Sequence, residues 1–304
     1  AIGSLVGALL LRSGQEVIFI GKEKKKESIN NFGINIESKI YGNFTVKPKV
    51  CSNLIEDLDI VFITVKGCDL SSALDRIPLD NKKKILFISL MNGMGHFEII
   101  KKSGIEHFSI GTIGSVEVLM DDNNNVIHHS NVKPHIEFSV GLGYNHKDNL
   151  TIIVLLENAG LIVKFIKNIN EVIWRKLIRL APISIITSIT QCSLGMIRNN
   201  TKSQSLMLQI IYEFCQISSL HNFDILPEEV LSQINLLPDR LTTSMQRDFH
   251  NGRNTELEKS ERNFRLFFVS GKPEGLLLCY QTIRKESKWT QQQQKRKRKK
   301  IIVN

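Results

Sequence analysis

A glycine precedes an apolar, helix-forming stretch at the beginning of the chain, in the sequence Ala1-Ile2-Gly3-Ser4. Such a glycine lets a helix pack closely against a strand, and the unpaired N–H groups of the helix N-terminus favour a phosphate. Gly3 would therefore be the third glycine of the dinucleotide-binding pattern G-x-G-x-x-G. The first two glycines and the strand before them are not in this sequence, so close packing alone is the alternative explanation.

A cluster of lysines follows the next apolar stretch, Val17–Ile20, and begins at Lys22. In dinucleotide-binding folds the residue at the end of the second strand reads the adenine ribose: an acid suits a 2′-hydroxyl and a base suits a 2′-phosphate. Glu23 interrupts the cluster, but three further lysines follow it, at 24–26. The excess positive charge predicts NADP rather than NAD; a solvated basic loop is the alternative.

These residues require a sheet to position them. Residues 2–11 have the pattern of a helix, and residues 17–20, 60–65 and 85–90 are short apolar runs typical of strands covered on both faces. Residues 71–76 and 97–102 are helical candidates, so the alternation predicts a parallel α/β sheet of the Rossmann type. Four strand signals between 108 and 140 predict an antiparallel or mixed extension of the same sheet.

After residue 170 strand signals nearly vanish, and residues 172–190, 202–220, 227–234 and 257–268 carry helical spacing. The sequence therefore predicts a dinucleotide-binding domain over 1–167, an all-helical domain over 168–288, and a tail over 289–304. Two domains of this kind usually bind a ligand in the cleft between them.

Composition limits the class of protein. The 304 residues are 42% hydrophobic and 23% charged, and no apolar run approaches the ~18 residues that span a bilayer. Five widely spaced cysteines predict neither disulfides nor a zinc site, which favours a reducing, cytoplasmic compartment. Six basic residues, 295–300, account for most of the net charge of +10. We interpret that tail as disordered: a solvated extension, or a nuclear address or polyanion contact.

Several segments occur in the order typical of the ketopantoate reductase (2-dehydropantoate 2-reductase) family, and on them the chain resembles that family from Ala1 to about Lys288. They are Thr64-Val-Lys66, Asn92-Gly-Met-Gly95 with Glu98, Trp174-Arg-Lys-Leu177, and Ser244-Met-Gln-Arg-Asp248 with Gly252-Arg-Asn-Thr-Glu256. The resemblance implies NADPH-dependent reduction of ketopantoate to pantoate, on the route to pantothenate and coenzyme A.

The resemblance also implies roles for single residues. Lys176 is expected to protonate the developing alkoxide, and Glu256 to contact the cofactor and order that lysine. Asn92 is expected between nicotinamide and substrate, and Ser244 at the substrate carboxylate. The full set of expected site residues is Lys176 and Glu256 as catalytic, Asn92, Ser244 and Ser184 at the substrate, and Ile2, Gly3, Lys22, Lys66, Asn92, Val116 and Glu256 at NADP.

Four positions depart from the family pattern, since Leu180, Ser184, Leu194 and Leu241 stand where amides are common. Losing hydrogen-bonding amides leaves open a related NADP-dependent reductase of a more apolar 2-keto acid, or a non-catalytic homologue. A nucleic-acid-binding protein is a further class, but it rests only on the tail. We expect the chain to be a fragment that begins after a first central strand; monomer and dimer both remain open.

Overall fold

A computed structural model describes residues 1–93, 96–114, 116–121, 123–139 and 146–251. The chain divides into two compact units, Ala1–Ile169 and Asn170–Asn304. The helix predicted at 257–268 and Glu256 lie outside the described residues, as does the tail. In the described part of the chain, no helix is long and apolar enough to cross a membrane.

The first unit alternates strands and helices, as the sequence predicts. Its elements are α1 (Ile2–Arg12), β1 (Ile18–Ile20), α2 (Glu23–Phe32), β2 (Ile34–Ser38), β3 (Phe44–Val46), β4 (Lys49–Cys51), β5 (Ile60–Ile63), α3 (Leu70–Leu74), α4 (Leu79–Lys84), β6 (Leu86–Ser89), α5 (His96–Lys102), β7 (Phe108–Gly114), β8 (Val118–Met120), β9 (Asn125–His128), β10 (His135–Phe138), α6 (His146–Asn158) and β11 (Ile162–Phe165).

The main sheet has five strands in the order β11-β10-β7-β6-β5. Strands β5, β6 and β7 are parallel, β10 is antiparallel to β7, and β11 is parallel to β10. All four residues of β6 are buried, because alternate side chains enter two different apolar clusters: Leu86 and Ile88 pack with α1, while Phe87 packs with α3 and α5. The predicted α/β class with a Rossmann-type sheet is confirmed.

One sheet prediction is wrong. Strands β8 and β9 do not extend the main sheet but belong to a separate four-stranded sheet with the order β3-β2-β9-β8. The reason is long-range pairing: β9 runs parallel to β2, whose Ile34 and Ile36 are fully buried. Local periodicity shows that a strand exists, but it does not show which distant strand will pair with it.

Strands β1 and β5 belong to different sheets. β1 pairs with β4 in a two-stranded parallel sheet, and none of the described strands pairs with both β1 and β5. Helix α1 packs closely against Thr64, directly after β5, and against Phe19 of β1, since a Cβ on Gly3 would meet the Thr64 Oγ1 at 2.3 Å and one on Gly7 would meet the Phe19 ring at 2.4 Å. That a central strand precedes Ala1 stays a prediction.

The second unit is helical throughout its described part. Its helices are α7 (Ile169–Thr190, beginning at the last residue of the first unit), α8 (Leu194–Arg198), α9 (Thr201–Leu220), α10 (Pro227–Asn235) and α11 (Ser244–His250). The long helices predicted over 172–190, 202–220 and 227–234 are confirmed. Two short helices, α8 and α11, were not predicted, because one or two turns carry too little periodicity to detect.

Candidate active site

Three predicted site residues follow the carboxyl ends of the parallel strands β5, β6 and β7. Lys66 is exposed three residues beyond β5, Asn92 is exposed three residues beyond β6, and Val116 is half-buried two residues beyond β7. Gly93 has a φ of +80°, so Asn92 sits in the tight turn that an Asn-Gly pair favours. Ligands bind at this edge in open α/β sheets. The structure therefore brings these three residues to one edge.

The start of α1 favours an anion. Its first turn carries no acid, and the ammonium groups of Lys25 and Lys66 lie close enough to act on it electrostatically. The N–H groups of the first turn and these two lysines therefore favour a negative charge at this helix end.

Lys25 is a candidate site residue that the sequence did not single out. Its Nζ donates to the Asn124 Oδ1 and lies 3.7 Å from the Met120 Sδ, and Met120 in turn accepts from the Ser4 hydroxyl in the first turn of α1. Lys25 occupies the third position of α2, whose first turn brings its side chain towards α1. In the sequence, Lys25 is only the middle one of three consecutive lysines, at 24–26, and nothing distinguishes it from its neighbours.

Lys22 is the N-cap residue of α2, two residues beyond β1, and its side chain is 70% exposed. Its Nζ lies 3.5 Å from the Oδ1 of Asp69. Around this pair, Arg76 donates to the Gly21 carbonyl oxygen at 3.4 Å and to the Ser52 carbonyl oxygen at 2.8 Å. The segment after β5 is therefore tied to the segment after β1, and an acid faces the cation that the sequence assigned to the ribose.

In the second unit, α7 carries Lys176, which is half-buried. The residues before it fix the helix: Trp174 is 2% exposed, with its ring 5.2 Å from that of His221. Arg175 binds Glu171 at 3.0 Å and Glu229 of α10 at 2.7 Å, and these carboxylates raise the pKa of its guanidinium. The turn that presents Lys176 is thus held by an aromatic contact on one side and by ion pairs on the other.

Ser184 and Ser244 lie near each other in this unit. The Thr187 and Thr243 hydroxyl oxygens are 3.0 Å apart, and Thr243 caps α11 directly before Ser244. Ser184 is half-buried one turn before Thr187 on α7, and Ser244 is exposed. At 1.5 Å per residue, Ser184 lies about 12 Å along α7 from Lys176. Two predicted hydroxyls therefore share one region, with Lys176 two turns away.

The leucines at the amide positions differ in their surroundings. Leu194 is fully buried, and its N–H donates to the Leu241 carbonyl oxygen at 3.1 Å. Leu194 is therefore a core residue, and a substrate would not contact its side chain. Leu180 and Leu241 are half-buried, so part of each apolar side chain stays exposed.

Within the described ranges, no group of three or more His, Cys, Asp or Glu residues could hold a metal.

Comparison with known proteins identifies relatives of the whole two-unit arrangement. A family model described as ketopantoate reductase PanE/ApbA matches residues 1–140, and the model of its C-terminal part matches residues 168–260. The chain is 28% identical over 283 residues to a 2-dehydropantoate 2-reductase of Pyrococcus horikoshii, an alignment that covers 90% of this chain and 86% of that relative.

Solved structures share the fold. A PanE/ApbA family ketopantoate reductase from Ralstonia eutropha JMP134 matches with a TM-score of 0.83 at 22% identity, covering 96% of this chain and 97% of that one. The ternary structure of D-mandelate dehydrogenase with NADH and anilino(oxo)acetate also matches with a TM-score of 0.83, at 19% identity, covering 95% and 96% of the two chains.

Proposed function

The chain belongs to the ketopantoate reductase PanE/ApbA family, and from this premise we propose that it is an NADPH-dependent reductase of a small 2-keto acid, with ketopantoate as the first candidate. The observation that carries the proposal is that the N-terminus of α1 lies beside Lys25 and Lys66 and packs closely on Thr64, directly after β5. A helix N-terminus with two lysines beside it suits the negative charge of a pyrophosphate.

A nicotinamide cofactor fits the residues of the first unit. The N–H groups at Ile2 and Gly3, with Lys25 and Lys66, would hold the pyrophosphate, while Lys22 would face the ribose 2′-phosphate. Asn92 and Val116, beyond β6 and β7, are assigned to the nicotinamide end. When bound, the cofactor supplies the hydride that reduces the ketone carbon.

Lys176 is assigned the proton. As the ketone is reduced, its oxygen gains negative charge, and a positioned ammonium both stabilises that charge and donates a proton to it. Trp174 and Arg175 restrict the helical turn that carries Lys176. Glu256, outside the described residues, stays the predicted partner of this lysine.

The hydroxyls of Ser184 and Ser244 are assigned to polar groups of the substrate. Leu180 and Leu241 favour a second candidate, a 2-keto acid with a larger apolar substituent, because half-buried leucine side chains cannot bind a substrate hydroxyl. D-mandelate dehydrogenase, which shares the fold, is named for a 2-hydroxy acid of this apolar kind. A non-catalytic homologue is the remaining alternative.

The test compares ketopantoate with phenylglyoxylate, measuring NADPH oxidation at 340 nm. Lys176→Ala should lower turnover by about 10²- to 10⁴-fold, the usual effect of removing a positioned acid, while NADPH still binds. Lys202→Ala, which removes an exposed lysine from α9, is the control. Unchanged turnover in Lys176→Ala would contradict the assigned role, and no turnover of either keto acid by the unaltered protein would favour the non-catalytic homologue.

Cofactor choice is tested separately at Lys22. Lys22→Glu should lose its preference for NADPH over NADH in direct binding, because the exchange reverses the charge that faces the 2′-phosphate. Equal affinity of the unaltered protein for the two cofactors would overturn the predicted preference.

A further inference from the structure

We propose that Asp69 sets how strongly this protein discriminates NADPH from NADH: its carboxylate neutralises Lys22 and accepts a hydrogen bond from a free ribose 2′-hydroxyl. The proposal rests on the proposed function, since it places an adenine ribose at the end of β1. It adds a residue that determines cofactor specificity. This residue lies in the segment after β5, whereas the ribose is normally recognised by a residue at the end of the second strand.

The contacts of Asp69 point towards this role. Its Oδ1 lies 3.5 Å from the Lys22 Nζ, and its Oδ2 accepts from the Cys68 thiol at 3.7 Å. The side chains of Lys22 and Asp69 are 70% and 47% exposed. A ligand can therefore reach both charged groups without opening the fold, and it will meet them together.

The carboxylate of Asp69 is not used by its own helix. Asp69 is the last residue of a short 3-10 turn, Gly67–Asp69, that runs directly into α3, and its side chain makes no capping hydrogen bond to α3. Its backbone is nevertheless fixed: its N–H donates to the Lys66 carbonyl oxygen at 2.8 Å, and its carbonyl oxygen accepts from the Ser72 hydroxyl at 2.9 Å. The backbone holds the residue in place while the carboxylate faces Lys22.

The two segments that carry the pair are linked independently of it. Arg76, from the turn after α3, donates to the carbonyl oxygens of Gly21 and Ser52. The backbone before Lys22 is thus anchored to the same segment that carries Asp69. This link keeps the two segments side by side, so the fold places Lys22 and Asp69 next to each other.

The chemistry of the two ribose forms gives the consequence. A 2′-phosphate gains from Lys22 but is repelled by Asp69, whereas a 2′-hydroxyl can donate to that carboxylate, the interaction that NAD-binding folds obtain from an acid at the second strand. NADPH preference is therefore weaker than the lysines alone imply, and removing the Asp69 charge should strengthen it.

The experiment measures binding by isothermal titration calorimetry for adenosine 2′,5′-bisphosphate, 5′-AMP, NADPH and NADH. Asp69→Asn should bind the two 2′-phosphorylated ligands about fivefold more tightly, the upper range for an exposed charge interaction, and the other two more weakly. Both shifts should shrink at 0.5 M NaCl because salt screens exposed charges. Asp75→Asn, which removes an exposed carboxylate at the end of α3, controls for net charge and should leave the ratio of affinities within twofold.

Two failures are distinguishable. If the unaltered protein binds the nucleotides but Asp69→Asn leaves their ratio unchanged, or moves it no more than Asp75→Asn does, the role of Asp69 is overturned and the proposed function stands. If the unaltered protein binds none of the four ligands, the nucleotide site itself is overturned, and Asp69 falls with it.

Discussion

His96 makes the stability of this protein sensitive to mild acid. It begins α5, four residues after Asn92 and at the same edge of the main sheet, and it is only 5% exposed. Its Nε2 has no hydrogen-bond partner among the residues that the structure describes, and its ring packs edge-on against Phe97 with centroids 4.3 Å apart. A protonated imidazole in this position would lose its hydration without gaining a counter-charge, so the folded state favours the neutral form.

The size of the effect follows from the pKa. Burial lowers the pKa of His96 from 6.5 to about 4, so between these values the unfolded chain binds more protons than the folded one. The stabilising contribution is fully present above pH 6.5 and is lost as the pH falls towards 4. Linkage gives a loss of about 2 kcal/mol in the free energy of unfolding between pH 7 and pH 5, and about 3 kcal/mol by pH 4.

The assay is urea unfolding followed by far-UV circular dichroism at pH 7, 6 and 5, for the unaltered protein and His96→Gln. The glutamine variant cannot take up this proton, so its stability relative to the unaltered protein should rise by about 2 kcal/mol between pH 7 and pH 5. His250→Gln, at an exposed position, controls for removing a histidine. If the stability difference for His96→Gln is constant over this range, the imidazole is not held neutral by burial and the reasoning is refuted.

Three further substitutions test how the site is held. Gly3→Ala would place a Cβ 2.3 Å from the Thr64 Oγ1, so it should lower the free energy of unfolding by about 1–3 kcal/mol and weaken NADPH binding. Adding Thr64→Ala to the same chain should restore much of the stability and of the binding. If Gly3→Ala changes neither, the close packing is contradicted. Trp174→Ala should lower the free energy of unfolding, measured in urea, by about 3–5 kcal/mol, and it should lower turnover by loosening the helical turn before Lys176. If the variant is as stable as the unaltered protein, the ring does not hold this turn in place. Thr243→Ala removes the α11 cap and the Thr187 contact, so the melting transition should show a loss of about 0.5–2 kcal/mol, and no loss would mean that the cap is not used.

The elements that sequence predicted well are those whose pattern is local. Strand β6 is apolar at every position because both of its faces are covered, and α9 repeats its apolar residues at helical spacing over 20 residues. Residues that directly follow strands could also be placed from the sequence, because the position of the strand end fixes where they lie. Lys66, Asn92 and Val116 reach one edge of the sheet simply because β5, β6 and β7 are parallel.

What sequence could not predict depends on pairing between distant segments. The four-stranded sheet forms because β2 pairs with β9, and the capping of α8 depends on the backbone carbonyls of Asp239 and Leu241. Leu194 shows the same limit at the site: its sequence position suggested contact with a substrate, but its complete burial makes it part of the core. A substitution at an expected binding position therefore bears on specificity only where the fold exposes the side chain.

The lysines show why residue type alone left the cofactor end ambiguous. Lys22 and Lys25 belong to one cluster in the sequence, yet the first turn of α2 separates them into different surroundings, one beside Asp69 and the other beside the start of α1. Sequence reasoning summed these charges and inferred NADP from their excess. Under the proposals above the sum is not the relevant quantity, because a 2′-phosphate at the end of β1 would meet Lys22 and Asp69 together, whereas a pyrophosphate would meet Lys25, Lys66 and the helix N-terminus. Binding of the dinucleotide and choice between its two forms would then depend on different residues, and Asp69→Asn should move the affinities for NADPH and NADH in opposite directions.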